Sequence, residues 1–456
     1  MFLRLPWILS RKRLLGAVLL DAVIFSSVYI IAFELRFGVW PGLSLPVAGM
    51  VGFWLTTSYV IGRYHALGSG NAAQAINMIA RAMATLLMAV GVYLAYFWVT
   101  AATLGVKDSR GFLIPLLFVF ALLSCLAQAF YSRLVPSSSR QSQEWLLVDL
   151  GGVFCDLENH LEWKRLHAKV SAFSGDFLAL QASDPSRYAG LLVADFSRLS
   201  DSFQRQLLSL QQNGWLVYSL VGWCERVLQR FPPELLTNAD LLRGDFSLSK
   251  DTIQLRLKRL GDVIVSGVLL VITAPVILIV AVLIRWQDSG PVFYSQLRSG
   301  LDGEPFRVWK LRTMRVNAEL YGAQWAGKGD PRITPLGRIL RLTRLDELPQ
   351  LWSVLQGEMS LIGPRPERPE FEDNLEQQIP HYRLRHLMRP GLSGWAQVNY
   401  PYGASLEDAA NKLSYDLYYL RNFSVLLDIL ILFKTIRLVF NAEGAIPVEP
   451  VSNSGP

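Results

Sequence analysis

The stretch Ile333–Glu370, ITPLGRILRLTRLDELPQLWSVLQGEMSLIGPRPERPE, carries the densest chemistry in the chain. Arg338, Arg341 and Arg344 line a basic, apolar segment that runs into two adjacent carboxylates, Asp346 and Glu347. Leu348–Leu355 follows as an amphipathic run ending at Gly357, and a stiff turn, Gly363-Pro364-Arg365-Pro366, comes next. Carboxylates among fixed arginines suit phosphate chemistry. Guanidinium forks hold the anion, and a carboxylate acts as nucleophile or holds a divalent metal. A plainer reading uses the same residues. Asp346 is a good helix N-cap, with Glu347 in the first turn and Pro349 tolerated there because early N–H groups have no intrahelical partner. The two readings are compatible, since a helix N-terminus also attracts phosphate.

Upstream, Pro291–Met314 reads as a strand, a turn at Leu301-Asp302-Gly303, and a second strand. Lys310 and Arg312 fall on alternate positions of that strand, hence on one face. Two cations on one face meet a diphosphate, or simply solvate an edge strand. Further upstream, the apolar run Ile264–Ile284 is interrupted by Pro275 and flanked by basic Lys250–Arg259 and by Arg285. Positive charge on both flanks puts both ends on the same side of a membrane. The expectation is a re-entrant helical hairpin over about 262–285 that breaks at the proline; a kinked full span is the alternative. Downstream, basic Tyr382–Arg389 ends in the tight turn Arg389-Pro390-Gly391, and Trp395 is placed to pack into a core. Leu406–Asn422 reads as an amphipathic helix. Val425–Phe440 is apolar but carries Asp428, Lys434 and Arg437, which suits a helix lying at a membrane interface.

The N-terminal third holds four apolar runs, Leu14–Phe33, Leu45–Ile61, about Ile79–Thr100 and about Phe112–Leu134. Each is near the length that crosses a bilayer. Arg63 and Arg81 follow the second run, and Arg133 and Arg140 the fourth, so both ends of the block are expected in the cytoplasm. Asp21 and Glu34 are read as interfacial. After a polar linker, Pro136–Gln143, strand-like runs (Trp145–Leu150, Lys169–Phe173, Gly190–Asp195, Trp215–Leu220) alternate with helix-like ones (Phe154–Leu166, Asp201–Gln212, Trp223–Arg230). That alternation predicts a parallel sheet. Gly151-Gly152 lacks the full dinucleotide-binding spacing, so the module is read as a degenerate Rossmann-like scaffold.

Hydrophobic residues make up 51% of the 456, which points to a membrane protein, and the net charge of +7 suits anionic lipid. The basic residues border apolar runs, which argues against nucleic acid. Cys125, Cys155 and Cys224 are isolated, so neither a disulfide framework nor a zinc site is implied.

Five motifs, in order, resemble the bacterial sugar transferases, the monotopic polyprenyl-phosphate phosphoglycosyl transferases. They are Val308-Trp309-Lys310-Leu311-Arg312-Thr313-Met314, Asp330-Pro331-Arg332-Ile333-Thr334, Leu345-Asp346-Glu347-Leu348-Pro349-Gln350, Gly363-Pro364-Arg365-Pro366, and the run from Arg389 through Gly391, Gly394 and Trp395 to Val398. The resemblance covers roughly Lys250 to Glu443 and is to the large form of the family. It implies four transmembrane helices (1–135), a Rossmann-like α/β domain with its linker (136–249), and a mainly helical monotopic catalytic domain (250–444). A disordered tail (445–456) completes the expected organisation. The implied reaction moves a sugar 1-phosphate from a UDP-sugar to polyprenyl (undecaprenyl) phosphate, with release of UMP. The place implied is the cytoplasmic face of the bacterial inner membrane, at the start of exopolysaccharide, capsule or O-antigen repeat-unit assembly.

By the same resemblance Asp346 matches the nucleophile, which forms an aspartyl phosphosugar, and Glu347 matches a residue that helps hold Mg2+. Lys310 and Arg341 match basic residues assigned to phosphate contacts. Arg365, between Pro364 and Pro366, is assigned to the nucleotide or its phosphate, and Arg312 and Arg389 complete the substrate-binding set. Direct attack by the lipid phosphate, with Asp346 as base, stays open, as does a non-enzymatic membrane scaffold. A homodimer is compatible with the large form. Tyr400-Pro401-Tyr402-Gly403 departs from the family pattern, so no sugar is carried over.

Overall fold

Among the described residues four long helices make up the first of two compact units, Trp7–Gln143, and the second takes in the chain from Glu144. The computed structural model describes residues 11–40, 45–65, 72–104, 110–134, 144–148, 170–172, 188–194, 199–238, 253–316, 330–401 and 405–440, with single residues at 7, 196, 241, 318 and 403 and a gap at 317. The linker Pro136–Gln143, Gly151-Gly152, the expected helix Phe154–Leu166 and the expected disordered tail lie outside the described residues.

The first unit comprises α1 (Lys12–Phe37), α2 (Leu45–Val60), α3 (Ala72–Leu104) and α4 (Arg110–Leu134). Phe25, Trp54, Leu86, Leu117 and Phe120 fill its core. Among the described residues three helices are long and apolar enough to cross a membrane: α1, residues Phe112–Leu134 of α4, and a later one, Ile253–Gln287. The four expected runs are thus all helical, but α2, at 16 residues, falls short of the roughly 20 that span a bilayer. Asp21 is not interfacial, as its sequence context suggested. It is fully buried and pairs with Arg63 at 3.1 Å. Tyr64 (2.9 Å), Ser124 (2.5 Å) and Gln128 (2.9 Å) donate to the same carboxylate. A buried charge is tolerated only when it is paired and hydrogen-bonded, and this one is both. Glu34 is exposed.

The second unit opens with a parallel sheet in the order β2-β1-β3-β4, from β1 (Trp145–Val148), β2 (Val170–Ala172), β3 (Gly190–Val193) and β4 (Val217–Ser219). Every one lies within its expected run. Side chains alternate across a strand. Leu146, Val148, Leu191 and Val193 therefore share one face with Leu207 and Leu210 of α5 (Asp201–Gln212), while Trp145, Leu147 and Leu192 pack on the other with Leu220 and Trp223. Both faces are covered, as parallel sheets require. The expected helix Trp223–Arg230 is instead a short α-turn, Leu220–Trp223, continued as a π-turn, Cys224–Leu228, which ends at Gln229 with φ +56°.

Helix α6 (Ile253–Gln287) leads the rest of the unit and runs unbroken through Pro275, so the interruption expected there is not seen. Its N-terminal part is anchored by polar contacts. Asp262 accepts from Ser360 Oγ (2.8 Å) and Leu361 N (3.0 Å), and Lys258 donates to the Ile362 carbonyl (2.7 Å). Its C-terminal part is anchored by Val280 and Ile284, which pack against Leu311 and Leu340. An antiparallel hairpin follows, β5 (Phe293–Ser299) and β6 (Pro305–Leu311), turned at Leu301-Asp302-Gly303 as the sequence predicts.

The remaining elements are α7 (Pro335–Thr343), α8 (Gln350–Gln356), β7 (Ser360–Ile362), α9 (Pro369–Gln378), β8 (Gly391–Ser393), α10 (Trp395–Asn399), α11 (Leu406–Arg421) and α12 (Val425–Phe440). Two charges of α12 face protein rather than a headgroup layer. Asp428 binds Lys258 (2.8 Å) and Tyr419 (2.6 Å), and Lys434 donates to Asn399 (2.6 Å).

Candidate active site

Helix α7 starts at a Thr334 cap, whose hydroxyl accepts from Gly337 N. It stops at Arg344, which closes the last turn in the left-handed region at φ +56°. A non-glycine residue there is strained, and such strain collects at functional sites. The next three residues, Leu345–Glu347, form a 3-10 turn, and α8 begins only at Gln350. Asp346 therefore does not cap α8, and the plainer reading of this carboxylate fails. Gly357 ends α8 at φ +90°, where glycine carries no steric penalty.

The two carboxylates are both buried but differ in their partners. Glu347 Oε1 accepts from Lys310 Nζ (2.9 Å) and Arg365 Nη2 (2.8 Å), and Arg344 stands 3.8 Å from Oε2. Asp346 accepts no hydrogen bond among the described residues. Lys310, Arg341 and Arg365 are near enough to act on it electrostatically. Burial, with Glu347's charge beside it, pushes the Asp346 carboxyl up to about 6, and those three cations oppose the rise only in part. Burial would raise Glu347 as well, but Arg365, Lys310 and Arg344 outweigh it and hold that carboxyl well below the usual range. Two neighbouring acids with pKa values pushed apart are suited to different tasks. Glu347 is a permanent anion that organises cations. Asp346 is a destabilised carboxylate with its lone pairs uncommitted.

Three backbone junctions set this geometry. Gly337 lies so close to Thr313 that an added Cβ would sit 2.0 Å from its carbonyl oxygen, and Arg341 Nε donates to the Thr313 hydroxyl (2.9 Å). Asp330 takes both the backbone N–H and the guanidinium of Arg332, shaping the turn before α7. Gly363 N donates to the Ser393 carbonyl and Gly391 N to that of Pro364, each at 2.8 Å. The Pro-Arg-Pro turn is thereby stitched to the Arg-Pro-Gly turn, and Arg365 is aimed at Glu347. Buried Pro364 and Pro366 stiffen the segment.

Residues 253–442 match the family described as bacterial sugar transferase. Within that family the chain is 36% identical over 222 residues to the UDP-glucose:undecaprenyl-phosphate glucose-1-phosphate transferase of Caulobacter vibrioides, covering 48% of this chain and 83% of that protein. The chain belongs to the bacterial sugar transferase family. It is also 45% identical over 199 residues to the UDP-N-acetylgalactosamine-undecaprenyl-phosphate N-acetylgalactosaminephosphotransferase of Aeromonas hydrophila, covering 44% of this chain and 47% of that one. A UDP-glucose:undecaprenyl-phosphate glucose-1-phosphate transferase of Klebsiella pneumoniae matches at 41%, over 40% of each chain. The matches to these last two span less than half of the relatives' length.

In this chain, Asp346, Glu347, Lys310 and Arg365 come together, with Arg341 alongside. Arg312 and Arg389 do not join them. Arg312 lies just past the end of β6 and pairs with Asp288, so it does not share a cationic face with Lys310. The side chain of Arg389 is exposed, and its segment contributes through backbone. Arg344 belongs to the cluster but was absent from the expected site residues; its position three residues before Glu347, where a turn brings i and i+3 together, is the signal that marks it. For Mg2+, no group of three or more His, Cys, Asp or Glu side chains gathers among the described residues. The two adjacent carboxylates still fit such an ion, which is commonly held by one or two carboxylates plus substrate phosphates and water. Glu347 Oε1 is committed to Lys310 and Arg365, which leaves Oε2 for that task.

Proposed function

We propose that this chain transfers a sugar 1-phosphate from a UDP-sugar to polyprenyl phosphate, through a covalent adduct on Asp346. The observation that carries this reading is the contrast between the paired acids: Glu347 is bonded to cations, whereas Asp346 is buried, raised in pKa and unbonded. The relatives' names support the substrate class, and they differ on the sugar.

In the first step an Asp346 oxygen attacks the sugar-proximal phosphorus. The bond from that phosphorus to the bridging oxygen breaks, and UMP leaves with the electron pair. In the second step a lipid-phosphate oxygen attacks the same phosphorus, the phosphorus–Asp346 bond breaks, and the carboxylate is restored. A carboxylate is a weak nucleophile, so in-line placement and charge neutralisation supply the rate. Lys310 and Arg365 are placed to neutralise the diphosphate, Arg344 and Arg341 to add positive potential, and burial keeps these charges effective. When bound, Mg2+ would be held by Glu347 and would offset charge on the leaving UMP.

The site works at a membrane, and the cytoplasmic face of a bacterial inner membrane is where nucleotide sugars meet a polyprenyl phosphate. Helix α6 docks on the same unit near both ends, and the 13 residues between Ser266 and Val280 carry no buried side chain, so that apolar stretch suits contact with lipid.

Incubating purified protein with Mg2+ and single UDP-sugars, without lipid, tests the reading. One equivalent of UMP and a matching mass increase on the Asp346 peptide are expected. UMP release only after polyprenyl phosphate is added would replace the covalent route with direct attack. No UMP from any donor in either condition would remove the activity.

A further inference from the structure

The α/β module does not merely precede the site. Past its π-turn the chain runs along α11. Phe231 is fully buried, donates its N–H to the Ser414 carbonyl at 2.8 Å, and lies 6.1 Å ring to ring from Tyr418. The Arg421 guanidinium also lies against it, 4.7 Å from the ring centre. Arg230 Nη1 donates to Asn411 Oδ1 at 3.0 Å. The indole N–H of Trp395, within the last of the five motifs, donates to the Gln229 carbonyl at 3.0 Å. These contacts clasp α11 and α10 in a stretch of three residues.

Helix α11 also carries Asp416, which is buried and pairs with Arg385 at 3.1 Å. Arg385 in turn donates to the backbone carbonyl of Arg365 at 2.8 Å. The guanidinium of Arg365 reaches Glu347 at 2.8 Å. Each link in this series is a buried or half-buried polar contact, so a shift of α11 is passed on toward Arg365.

We propose that residues 229–231 are a positioning strap for the donor site, acting through α11, Asp416 and Arg385 on the backbone of Arg365. This rests on the reading of Arg365 as a contact to the donor's phosphates. The strap is then the physical route by which the α/β module tunes the transferase, and the functional boundary of the catalytic part lies before Gln229 rather than near residue 250. Phe231 and Arg385 are positioning residues, because neither reaches the reacting atoms.

The test uses the full chain. Phe231→Ala should raise the KM for the UDP-sugar about tenfold, a typical coupling between contacting residues. The KM for polyprenyl phosphate should stay unchanged, and Phe231→Leu should restore most of the loss. The effect should shrink in an Arg365→Ala background, because the proposed route ends on that side chain. Hydrogen exchange gives a second readout that needs no turnover: amides of residues 360–367 should exchange faster in Phe231→Ala. Asn411→Ala, which removes the partner of Arg230 and a longer contact to Tyr400, is the milder variant should Phe231→Ala not fold, and the same exchange is expected from it. Equal KM effects with and without Arg365, together with unchanged exchange at 360–367, would overturn the strap. A wild-type chain that releases no UMP from any donor would overturn the proposed reaction instead, and the exchange experiment would still decide the strap.

Discussion

Replacing Gly391 by alanine should separate the two turns that aim Arg365. An added Cβ would stand 2.0 Å from Gly363 N, 2.6 Å from Gly363 Cα and 2.4 Å from the Ser393 carbonyl oxygen. All three are backbone atoms, so no side chain can swing aside. Nonbonded heavy atoms settle at about 3.5 Å, so the strands must part by about 1.5 Å. Displacement on that scale breaks the 2.8 Å bonds from Gly391 N to Pro364 and from Gly363 N to Ser393. Overpacking of this kind costs about 1–3 kcal/mol, and each lost hydrogen bond adds about 1 kcal/mol. The effect on turnover should be larger than the effect on folding, because a misplacement of about 1 Å at a positioned group costs about 10²-fold in rate. The assay pairs UMP release from a UDP-sugar with thermal unfolding in detergent. Gly267→Ala is the control, since its Cβ would meet only Leu355, at 4.0 Å. Wild-type turnover and an unchanged melting temperature in Gly391→Ala would refute the claim that this close approach aims Arg365.

Three further outcomes follow from the structure. Asp346→Asn should abolish the covalent adduct and lower UMP release by at least about 10³-fold with unfolding unchanged; mass spectrometry of the Asp346 peptide and a melting curve together check it. Adduct formation should rise as pH rises through about 6 and level off above it, because burial raises the Asp346 carboxyl to about 6 and only its ionised form attacks. A single-turnover rate that is flat from pH 5 to 8, on the scale where such a group titrates, would contradict the assignment. In the helical unit, Arg63→Leu should cost about 3–5 kcal/mol by stranding buried Asp21, and Asp21→Asn in the same chain should recover part of it; unfolding in detergent reads both.

Much of the architecture could be read from residues alone, for a physical reason. All four strands of the sheet fall within their expected runs, and the β5–β6 hairpin turns where Leu301-Asp302-Gly303 said it would, because these elements follow from local patterning and turn chemistry. Misreadings came where a distant partner decides. Nothing near Arg312 announces that Asp288, 24 residues earlier, will take its charge. Nothing near Asp21 announces Arg63, and nothing near Asp428 announces Lys258, 170 residues before it. The capping reading of Asp346 failed for a different cause: the left-handed Arg344 and the 3-10 turn after it delay the helix to Gln350, and neither leaves a mark in residue type. Pro275 looked like a breaker, yet α6 passes through it with docking contacts on either side.

Glu347 has a consequence for how this site rests between turnovers. Lys310, Arg344, Arg365 and Arg341, all half-buried, would repel one another and drift toward solvent if nothing neutralised them. The carboxylate at the centre, bonded at 2.9 and 2.8 Å to the first two claimants of its Oε1, acts as a resident understudy for the substrate's own anion. In the proposed reaction the arriving diphosphate meets cations that are partly desolvated and already aimed, so binding is an exchange of partners. A tethered competitor has a high effective concentration, so ground-state affinity for the donor is held down. In the proposed reaction, interactions withheld from the resting complex are available where charge builds on the transferring phosphoryl group, which is where they raise the rate.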